Sequence, residues 1–230
     1  MESARQKSIL SAVGIQKSYV MGKALELKVL KGIDLKIHKG EILAITGPSG
    51  VGKSTLLHIL GALDKPTSGS VWLDSTDVFS MGDIPLAGFR NRMVGFVFQF
   101  HHLLPEFTAV ENVAMPGLIS RQSTRKIYQR ARELLEEVGL RDRLDHKPRE
   151  LSGGEQQRVA FARSLINDPV LVLADEPSGN LDLENSTTLH GLMWKLVREK
   201  KKTFVVVTHN RSLASQADRI IELYDGRVKT

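Results

Sequence analysis

The spacing of hydrophobic and polar residues changes several times along the N-terminal part of the chain, and each change predicts a different element. Short apolar runs predict strands, whereas apolar positions three or four apart predict a helix. The third predicted strand is the most continuously apolar, which indicates a buried one. The predicted strands are residues 9–20, 29–37, 40–47 and 69–74, the predicted helix runs from Thr55 to Leu63, and residues 71–92 carry turn signals and a polar segment.

The middle of the chain has a helical period. Residues 124–140 repeat apolar side chains at intervals of three and four, and Gly139 suits the position that ends a helix. Residues 155–168 form a second strong helical pattern, which Pro169 stops. The apolar positions of the first of these helices are Ile127, Ala131, Leu134, Leu135 and Val138.

Strands alternate with helices again in the C-terminal part, which predicts an α/β fold with a parallel sheet. The helical middle, residues 89–165, interrupts this pattern, so residues 1–230 are expected to form one domain with an inserted helical lobe. Residues 1–88 and 166–230 would then form the α/β core. The C-terminal strands are predicted at 170–177, 203–210 and 219–228, and the helices near 184–199 and 212–217.

Composition excludes some functional classes. Hydrophobic residues make up 41% of the chain and charged residues 25%, as in an ordinary globular protein. There is no cysteine, no apolar run of membrane-spanning length and no signal peptide at the N-terminus, so we expect a cytoplasmic chain without a membrane span. The net charge is +6, but the basic residues are scattered, and charge alone does not decide the partner.

A complete G-x-x-x-x-G-K-[ST] pattern lies between the buried strand and the first helix. Glycines let the backbone curl around phosphates, with its N–H groups and the positive end of the helix dipole facing them. Lys53 would reach the β and γ phosphates, Ser54 would ligate Mg²⁺, and Thr55, where a dinucleotide fingerprint would need a glycine, excludes that alternative. The motif comprises Gly47, Pro48, Ser49, Gly50, Val51, Gly52, Lys53 and Ser54.

Polar residues end two of the predicted C-terminal strands. Asp175 and Glu176 follow the apolar run 170–174, and His209 follows the run 203–207. Ligands bind at the carboxyl edge of parallel sheets, so these side chains are expected beside the phosphates. Asp175 would hold Mg²⁺, Glu176 would orient or deprotonate water, and His209 would contact the γ-phosphate.

A glycine pair opens the helix predicted at 155–168. Ser152 and Glu155 fit an S-x-x-E capping box. Capping leaves Gly153 and Gly154 without a local role, although glycine in a first helical turn costs up to about 1 kcal/mol relative to alanine. A bare helix N-terminus binds anions, and the phosphate loop already holds its own triphosphate. The simplest solution is that this turn caps the nucleotide of a second subunit.

Taken in order, these motifs resemble the ATPase domain of ABC transporters over nearly the whole chain. The resemblance implies a P-loop NTPase fold of ABC type, with a RecA-like parallel core, an N-terminal antiparallel β part and the inserted helical lobe. It also implies a head-to-tail homodimer around two ATP molecules. Tyr19 would stack on adenine, Gln99 would contact Mg²⁺ or the attacking water, and Asp182 would support the dimer interface. The motifs are GPSGVGKS, Gln99, LSGGEQQ, VLVLADEP, GNLD (179–182) and His209.

The segment FQFHHLLPEFTAVENVAMP, residues 98–116, has no clear period at its start. Leu103, Leu104 and Phe107 could belong to the core of the lobe, or could line a groove for a partner helix. In the family this region receives the membrane subunits. The segment is similar to that of lipoprotein-releasing ATPases, which implies FtsX-like membrane subunits docking near residues 98–116 and a peripheral location on the inner membrane of a Gram-negative bacterium.

Other members of the same group keep alternative functions open. One is the ATPase of a MacB-type exporter, although that type is normally fused to its membrane part. Another is an FtsE-type cell-division regulator that transports nothing. DNA-repair ATPases with an LSGGE motif are typically much longer, with coiled-coil or zinc insertions between the phosphate loop and that motif. This chain has no such insertion between Lys53 and Ser152, so we expect no nucleic-acid partner.

Overall fold

The computed structural model describes residues 8–21 and 25–229. Within them lie ten strands and seven α-helices, none of which is long and apolar enough to cross a lipid bilayer. The strands are β1 (Ser8–Met21), β2 (Leu25–His38), β3 (Ile42–Thr46), β4 (Ser68–Leu73), β5 (Thr76–Asp77), β6 (Val94–Val97), β7 (Leu171–Asp175), β8 (Thr203–Val207), β9 (Arg219–Tyr224) and β10 (Arg227–Lys229). The helices are α1 (Lys53–Leu60), α2 (Asp83–Met93), α3 (Ala109–Ile119), α4 (Thr124–Glu137), α5 (Gly153–Leu165), α6 (Leu183–Lys200) and α7 (Arg211–Ala214).

The described residues form two compact units. The first contains those up to Ala87 and those from Thr203 onward, and the second runs from Gly88 to Lys202. The sequence-based division assigned 166–202 to the core, whereas the structure groups these residues with the middle of the chain. The physical reason is that β7 pairs with β6, and α6 packs against α5, within the second unit.

An antiparallel sheet forms one part of the first unit. Its strand order is β2-β1-β4-β5, so β1 lies between β2 and β4. Leu10 and Ala12 of β1 are buried, while Val13 is exposed, because alternate residues of a strand face opposite sides of a sheet. Ile15 is buried as well, because the strand register shifts between Ala12 and Ile15. This sheet confirms the predicted N-terminal antiparallel part.

Parallel strands form the other part of the first unit. Strand β3 pairs in parallel with both β8 and β9. Residues 42–45 of β3 and all five residues of β8 are buried, as expected for parallel strands covered on both faces. The phosphate loop follows β3 and His209 follows β8, so both lie at the carboxyl edge of these two paired strands.

The strand predicted at 219–228 is wrong as a single element. It is a hairpin of β9 and β10 joined at Asp225 and Gly226, whose φ angles are +46° and +71°. Two adjacent left-handed residues are what a tight two-residue hairpin turn requires, and Asp-Gly is a typical sequence for it. The Asp-Gly turn signal was therefore present in the sequence, but the prediction joined the residues on both sides of it into one strand.

The second unit is built around α5, which packs against α3, α4 and β6. Strand β6 pairs in parallel with β7. A Cβ atom at Gly95 of β6 would collide with the carbonyl of Ser164, so glycine is needed for α5 to lie this close to the strand. The apolar face predicted for residues 124–140 is buried, as its period indicates, through Ile127, Ala131, Leu134, Leu135 and Val138.

Four elements have no counterpart in the predictions, namely α2, β5, β6 and α3. Helix α2 has no buried residue, so it lacks the apolar stripe that would have predicted it. Helix α3 contains Pro116, which argues against a helix. The helix begins at a capping box formed by Thr108 and Glu111, and this S/T-x-x-E signal for a helix start was present in the sequence.

A buried asparagine holds the loop before α3. Asn112 is 1% exposed, and its side-chain oxygen accepts a hydrogen bond of 2.8 Å from the backbone N–H of Leu104. Its amide group donates to the carbonyls of Leu104, Phe107 and Thr108 at 3.0–3.1 Å. Because these bonds satisfy backbone groups that would otherwise lie unpaired at the edge of the core, they fix the shape of residues 104–108.

Replacing Asn112 with alanine is therefore expected to lower the free energy of unfolding by about 1–3 kcal/mol, since the backbone groups would lose their buried partner. Urea titration with an unchanged m-value would measure the loss. Gln129→Ala is the matched control, because this exposed side chain bonds to Glu133 of its own helix and should change stability by less than about 0.5 kcal/mol. Equal stability of Asn112→Ala and the unmodified chain would contradict this role.

Candidate nucleotide-binding site

The phosphate loop owes its shape to glycines in left-handed or unusual backbone conformations. Gly47, Gly50 and Gly52 have φ angles of +139°, +76° and +103°. A Cβ atom at Gly47 would also collide with the carbonyl of Leu223, and one at Gly52 would press on Leu30 and Val29. Both strain and space therefore require glycine, as a loop that wraps backbone N–H groups around phosphates needs.

Lys53 and Ser54 begin the helix that follows this loop. The ammonium group of Lys53 is buried and donates to the carbonyl oxygens of Gly47 and Pro48 at 3.0 and 2.8 Å. It is thus folded over the loop at the place expected for a phosphate ligand. The neighbouring Ser54 is exposed in the first turn of α1, while Thr55 is half-buried and Val51 packs near Gly47.

His209 shares a cleft with the start of the phosphate loop. The cleft has a volume of about 480 Å³, and its lining includes Gly47, Thr46, Thr208 and His209. His209 is exposed immediately after the buried strand β8. The first unit therefore brings together the loop and the histidine that the sequence predicted for one site.

Tyr19 lies on β1 and is 39% exposed. Its hydroxyl donates a hydrogen bond of 2.8 Å to Asp64, and the ammonium of Lys17 lies 4.8 Å from the ring centroid. Partial burial raises the pKa of the hydroxyl, and the bond to Asp64 adds to this shift. The ring is therefore held in place by its hydroxyl and offers an aromatic surface, as an adenine contact would need.

The acidic residues of the second unit follow β7. Asp175 is the last residue of the strand, and Glu176 comes next with a φ of +44°. A left-handed conformation is uncommon for a residue with a side chain, and such strain is concentrated at functional sites. The backbone N–H of Gly179 donates to the carbonyl of Glu176 at 2.9 Å, which closes a turn directly behind the carboxylate.

Gln99 is paired with the loop that follows Glu176. Its side-chain amide donates to the side-chain oxygen of Asn180 at 3.0 Å, and the amide of Asn180 donates to the backbone carbonyl of Gln99 at 3.3 Å. Gly179 lies against the Gln99 side chain, since a Cβ there would approach its nitrogen to 3.0 Å. Gln99 therefore lies next to the loop that begins at Glu176, within one unit.

The predicted capping box is present at the start of α5. The backbone N–H of Ser152 donates to the Glu155 carboxylate at 2.8 Å, and the N–H of Glu155 donates to the Ser152 hydroxyl at 3.2 Å. The backbone bond from Ser152, together with the guanidinium of Arg143 at 2.9 Å, holds the pKa of Glu155 below its usual range. A charged Glu155 thus stabilises this turn.

The two glycines of this turn have different surroundings. Gly153 is exposed, and a Cβ added there would meet no atom within 4 Å. Gly154 is buried, and a Cβ there would collide with the side chain of Asn185 in α6. The expectation that neither glycine has a local role is therefore wrong for Gly154, which makes room for a side chain of its own chain.

Asp182 is the N-cap of α6. Its carboxylate accepts hydrogen bonds from the backbone N–H of Asn185 at 2.8 Å and from the Asn185 side-chain amide at 2.7 Å. The backbone bond is the main reason that the pKa of Asp182 is lowered, and the side-chain bond adds to it. The exposed carboxylate is thus kept charged at the surface of the second unit.

The histidine segment after Gln99 is held against α5 by two side chains of that helix. Gln157, which is fully buried, donates to the carbonyl of Phe98 at 2.9 Å and bonds through its oxygen to the ring of His101. Arg163 donates to the carbonyls of His101 and His102 at 2.7 Å each. The sequence reasoning did not single out Gln157 or Arg163, because their partners are far away in sequence.

The predicted site residues therefore fall into two groups, each placed on its own unit. Those of the first unit are Tyr19, Gly47, Pro48, Ser49, Gly50, Val51, Gly52, Lys53, Ser54, Thr55 and His209. Those of the second unit are Gln99, Ser152, Gly153, Gly154, Glu155, Asp175, Glu176 and Asp182.

The chain is also similar to proteins of one known family. A model of the ABC transporter family matches residues 30–179. A dimeric post-hydrolysis state of the ATP-binding cassette MJ0796, bound to ADP and Pi, has a TM-score of 0.89 and 42% identity. The alignment covers 96% of this chain and 97% of that one.

Two relatives carry the name lipoprotein-releasing system ATP-binding protein LolD. The one from Geobacter metallireducens is 56% identical, over 96% of this chain and 98% of the relative. The one from Bacteroides thetaiotaomicron is 54% identical, over 94% of this chain and 97% of the relative. The fold, the motifs and these similarities establish that the chain belongs to the ABC transporter family of ATP-binding proteins.

Proposed function

We propose that this chain is the ATP-hydrolysing subunit of an ABC complex that releases lipoproteins from the inner membrane. The observation that carries the proposal is its similarity to lipoprotein-releasing ATP-binding proteins over nearly the full length of both. The geometry supports the ATPase part, because the phosphate loop follows the buried strand β3 and the acidic residues lie at the end of the buried strand β7. Function is carried by such sites rather than by the fold alone.

ATP is proposed to bind with its phosphates in the loop after β3. Backbone N–H groups and the start of α1 face the phosphates, Lys53 neutralises their charge, and the Tyr19 ring stacks on adenine. Mg²⁺ prefers oxygen ligands, and the hydroxyl of Ser54, the carboxylate of Asp175 and the side-chain oxygen of Gln99 are of this kind. When bound, the ion would neutralise charge on the β and γ phosphates.

Hydrolysis is assigned to Glu176 and His209. The Glu176 carboxylate takes a proton from water while the water oxygen forms a bond to the γ-phosphorus. The bond from the γ-phosphorus to the oxygen of the leaving ADP breaks in the same displacement. His209 stabilises the γ-phosphate through a hydrogen bond, which contributes roughly 1.5–3 kcal/mol when its partner is charged.

The chain is proposed to act as a head-to-tail homodimer in which Ser152, Gly153 and Glu155 cap the ATP held by the opposite phosphate loop. The open space at Gly153 supports this arrangement, because it leaves the N-terminus of α5 accessible to an anion. The matched cassette structure is itself described as dimeric. ATP then favours the closed dimer, since it contacts both subunits only in that state.

Residues 98–116 are proposed to dock FtsX-like membrane subunits, which place the chain on the cytoplasmic side of the inner membrane of a Gram-negative bacterium. Phe100, Leu104 and Phe107 are 65%, 40% and 37% exposed, whereas Leu103 is half-buried. Apolar side chains on a loop held rigid by Asn112 form a surface that an apolar helix can cover. Among the three residues left open by the sequence, Leu104 and Phe107 are thus favoured as contacts.

Glu176→Gln is expected to bind ATP and to lower kcat by about 10²- to 10⁴-fold, because the amide cannot accept the proton. The variant should accumulate as a dimer on gel filtration with ATP and Mg²⁺. Adding Lys53→Ala should return it to the monomer by weakening phosphate binding. If Glu176→Gln remains monomeric with ATP, the sandwich arrangement is refuted.

Leu104→Glu and Phe107→Glu should each abolish co-purification with the membrane subunits from detergent-solubilised membranes, because a carboxylate cannot be buried in an apolar contact. ATP binding by the isolated chain should stay unchanged. Ile84→Glu is the matched control, since Ile84 is 88% exposed but lies on α2, outside the docking segment. Normal co-purification of both loop variants would rule out docking at these side chains.

Tyr19→Ala should raise the Kd for ATP by roughly 2- to 10-fold, the range expected for one aromatic stacking contact. Tyr19→Phe keeps the ring but loses the bond to Asp64, and should stay within about 2-fold of the unmodified chain. Titration with a fluorescent ATP analogue measures both values. An unchanged Kd for Tyr19→Ala would remove this residue from the adenine site.

A further inference from the structure

Asn185 has more contacts than a helix cap needs. Its backbone N–H alone satisfies the N-cap, Asp182, at 2.8 Å, and any residue could supply that group. Its side-chain amide makes a second bond to the same carboxylate at 2.7 Å. This second bond depends on asparagine, so capping by itself does not explain the side chain.

The oxygen end of the same side chain lies against Gly154. A Cβ atom at Gly154 would collide first with Oδ1 of Asn185 and then with its Cγ. The nitrogen of the amide is bonded to Asp182 while its oxygen borders the buried glycine, so one side chain connects the first turn of α5 with the first turn of α6.

From Asp182 the contacts continue to Gln99. Asn180, two positions earlier, exchanges hydrogen bonds of 3.0 and 3.3 Å with Gln99. Two backbone bonds tighten the segment in between, from Gly179 to Glu176 at 2.9 Å and from Leu181 to Ser178 at 3.1 Å. A displacement of Asp182 would therefore be transmitted through these hydrogen bonds to the residues beside Glu176.

We propose that Asn185 is a positioning residue that couples the turn at Ser152–Glu155 to the loop of its own chain that runs from Glu176 to Asp182. This inference rests on the proposed function, in which that turn contacts the ATP of the opposite subunit. Contact of the turn with nucleotide then acts through Gly154, Asn185 and Asp182 on the loop that holds Gln99 and Glu176. The two ATP sites of the dimer are linked through the second unit of each chain.

A double-mutant cycle with Gly154→Ala and Asn185→Ala tests this coupling through ATPase kinetics. Gly154→Ala should lower kcat by about 10-fold or more, because its methyl group displaces the amide from Asp182 and breaks a hydrogen bond to a charged group. Asn185→Ala should lower kcat similarly by removing the amide. The double variant should be no slower than either single variant, since the alanine methyl then has room.

Two further measurements separate positioning from simple loss of structure. The Kd for ATP of each isolated variant should stay within about 2-fold of the unmodified chain, because the phosphate loop lies in the other unit. The thermal midpoints should show that all variants are folded at the assay temperature. Thr187→Ala is the matched control, since this exposed residue bonds to Leu183 of its own helix and should leave kcat unchanged.

Losses of kcat that multiply in the double variant, or an unchanged kcat for Asn185→Ala, would overturn the coupling while leaving the ATPase proposal intact. If Gly154→Ala fails to fold, the kcat of Asn185→Ala still tests the coupling by itself. Absence of ATP hydrolysis by the unmodified chain, with its membrane subunits present, would overturn both the proposed function and this inference.

Discussion

The burial of helix α5 is the constraint on which the second unit depends. Residues 159–162 of this helix are fully buried, and the helix packs against α3, α4 and β6. Three of the segments discussed above contact it. Its first turn contacts Asn185. Gln157 in its middle bonds to Phe98 and His101. Arg163 near its end bonds to the carbonyls of His101 and His102. Because a close-packed helix cannot adjust to one neighbour alone, these segments are mechanically linked.

The first unit depends on a different constraint, the complete burial of its parallel strands. Apolar cover on both faces of β3 and β8 leaves only their carboxyl ends for polar chemistry. The phosphate loop and His209 therefore open onto one cleft. The loop also runs directly from the buried strand β3 into helix α1, and these two elements restrict its shape, which lowers the entropy lost when phosphates bind.

Motifs contained in a few consecutive residues were predicted well. The phosphate loop, the capping box at Ser152 and the apolar face of α4 depend on neighbours in the chain, and each is present in the structure. Elements without an apolar stripe were missed, as α2 shows. The hairpin at Asp225 was missed because its turn is only two residues long and the second strand has only three, too few to show a period of its own. Gly154 was misinterpreted because its neighbour, Asn185, lies in another helix.

By itself the sequence predicted the class of fold, and its motifs resemble those of the family. It also provided the candidate residues of the nucleotide site, because these lie within short motifs. Only the tertiary structure decided what each group touches: that Gln99 pairs with Asn180, that the paired histidines lie against α5, and that Leu104 and Phe107 are more exposed than Leu103. The physical reason is that such contacts join residues far apart in the chain. They follow from how whole helices and strands pack, which no local pattern of residues contains.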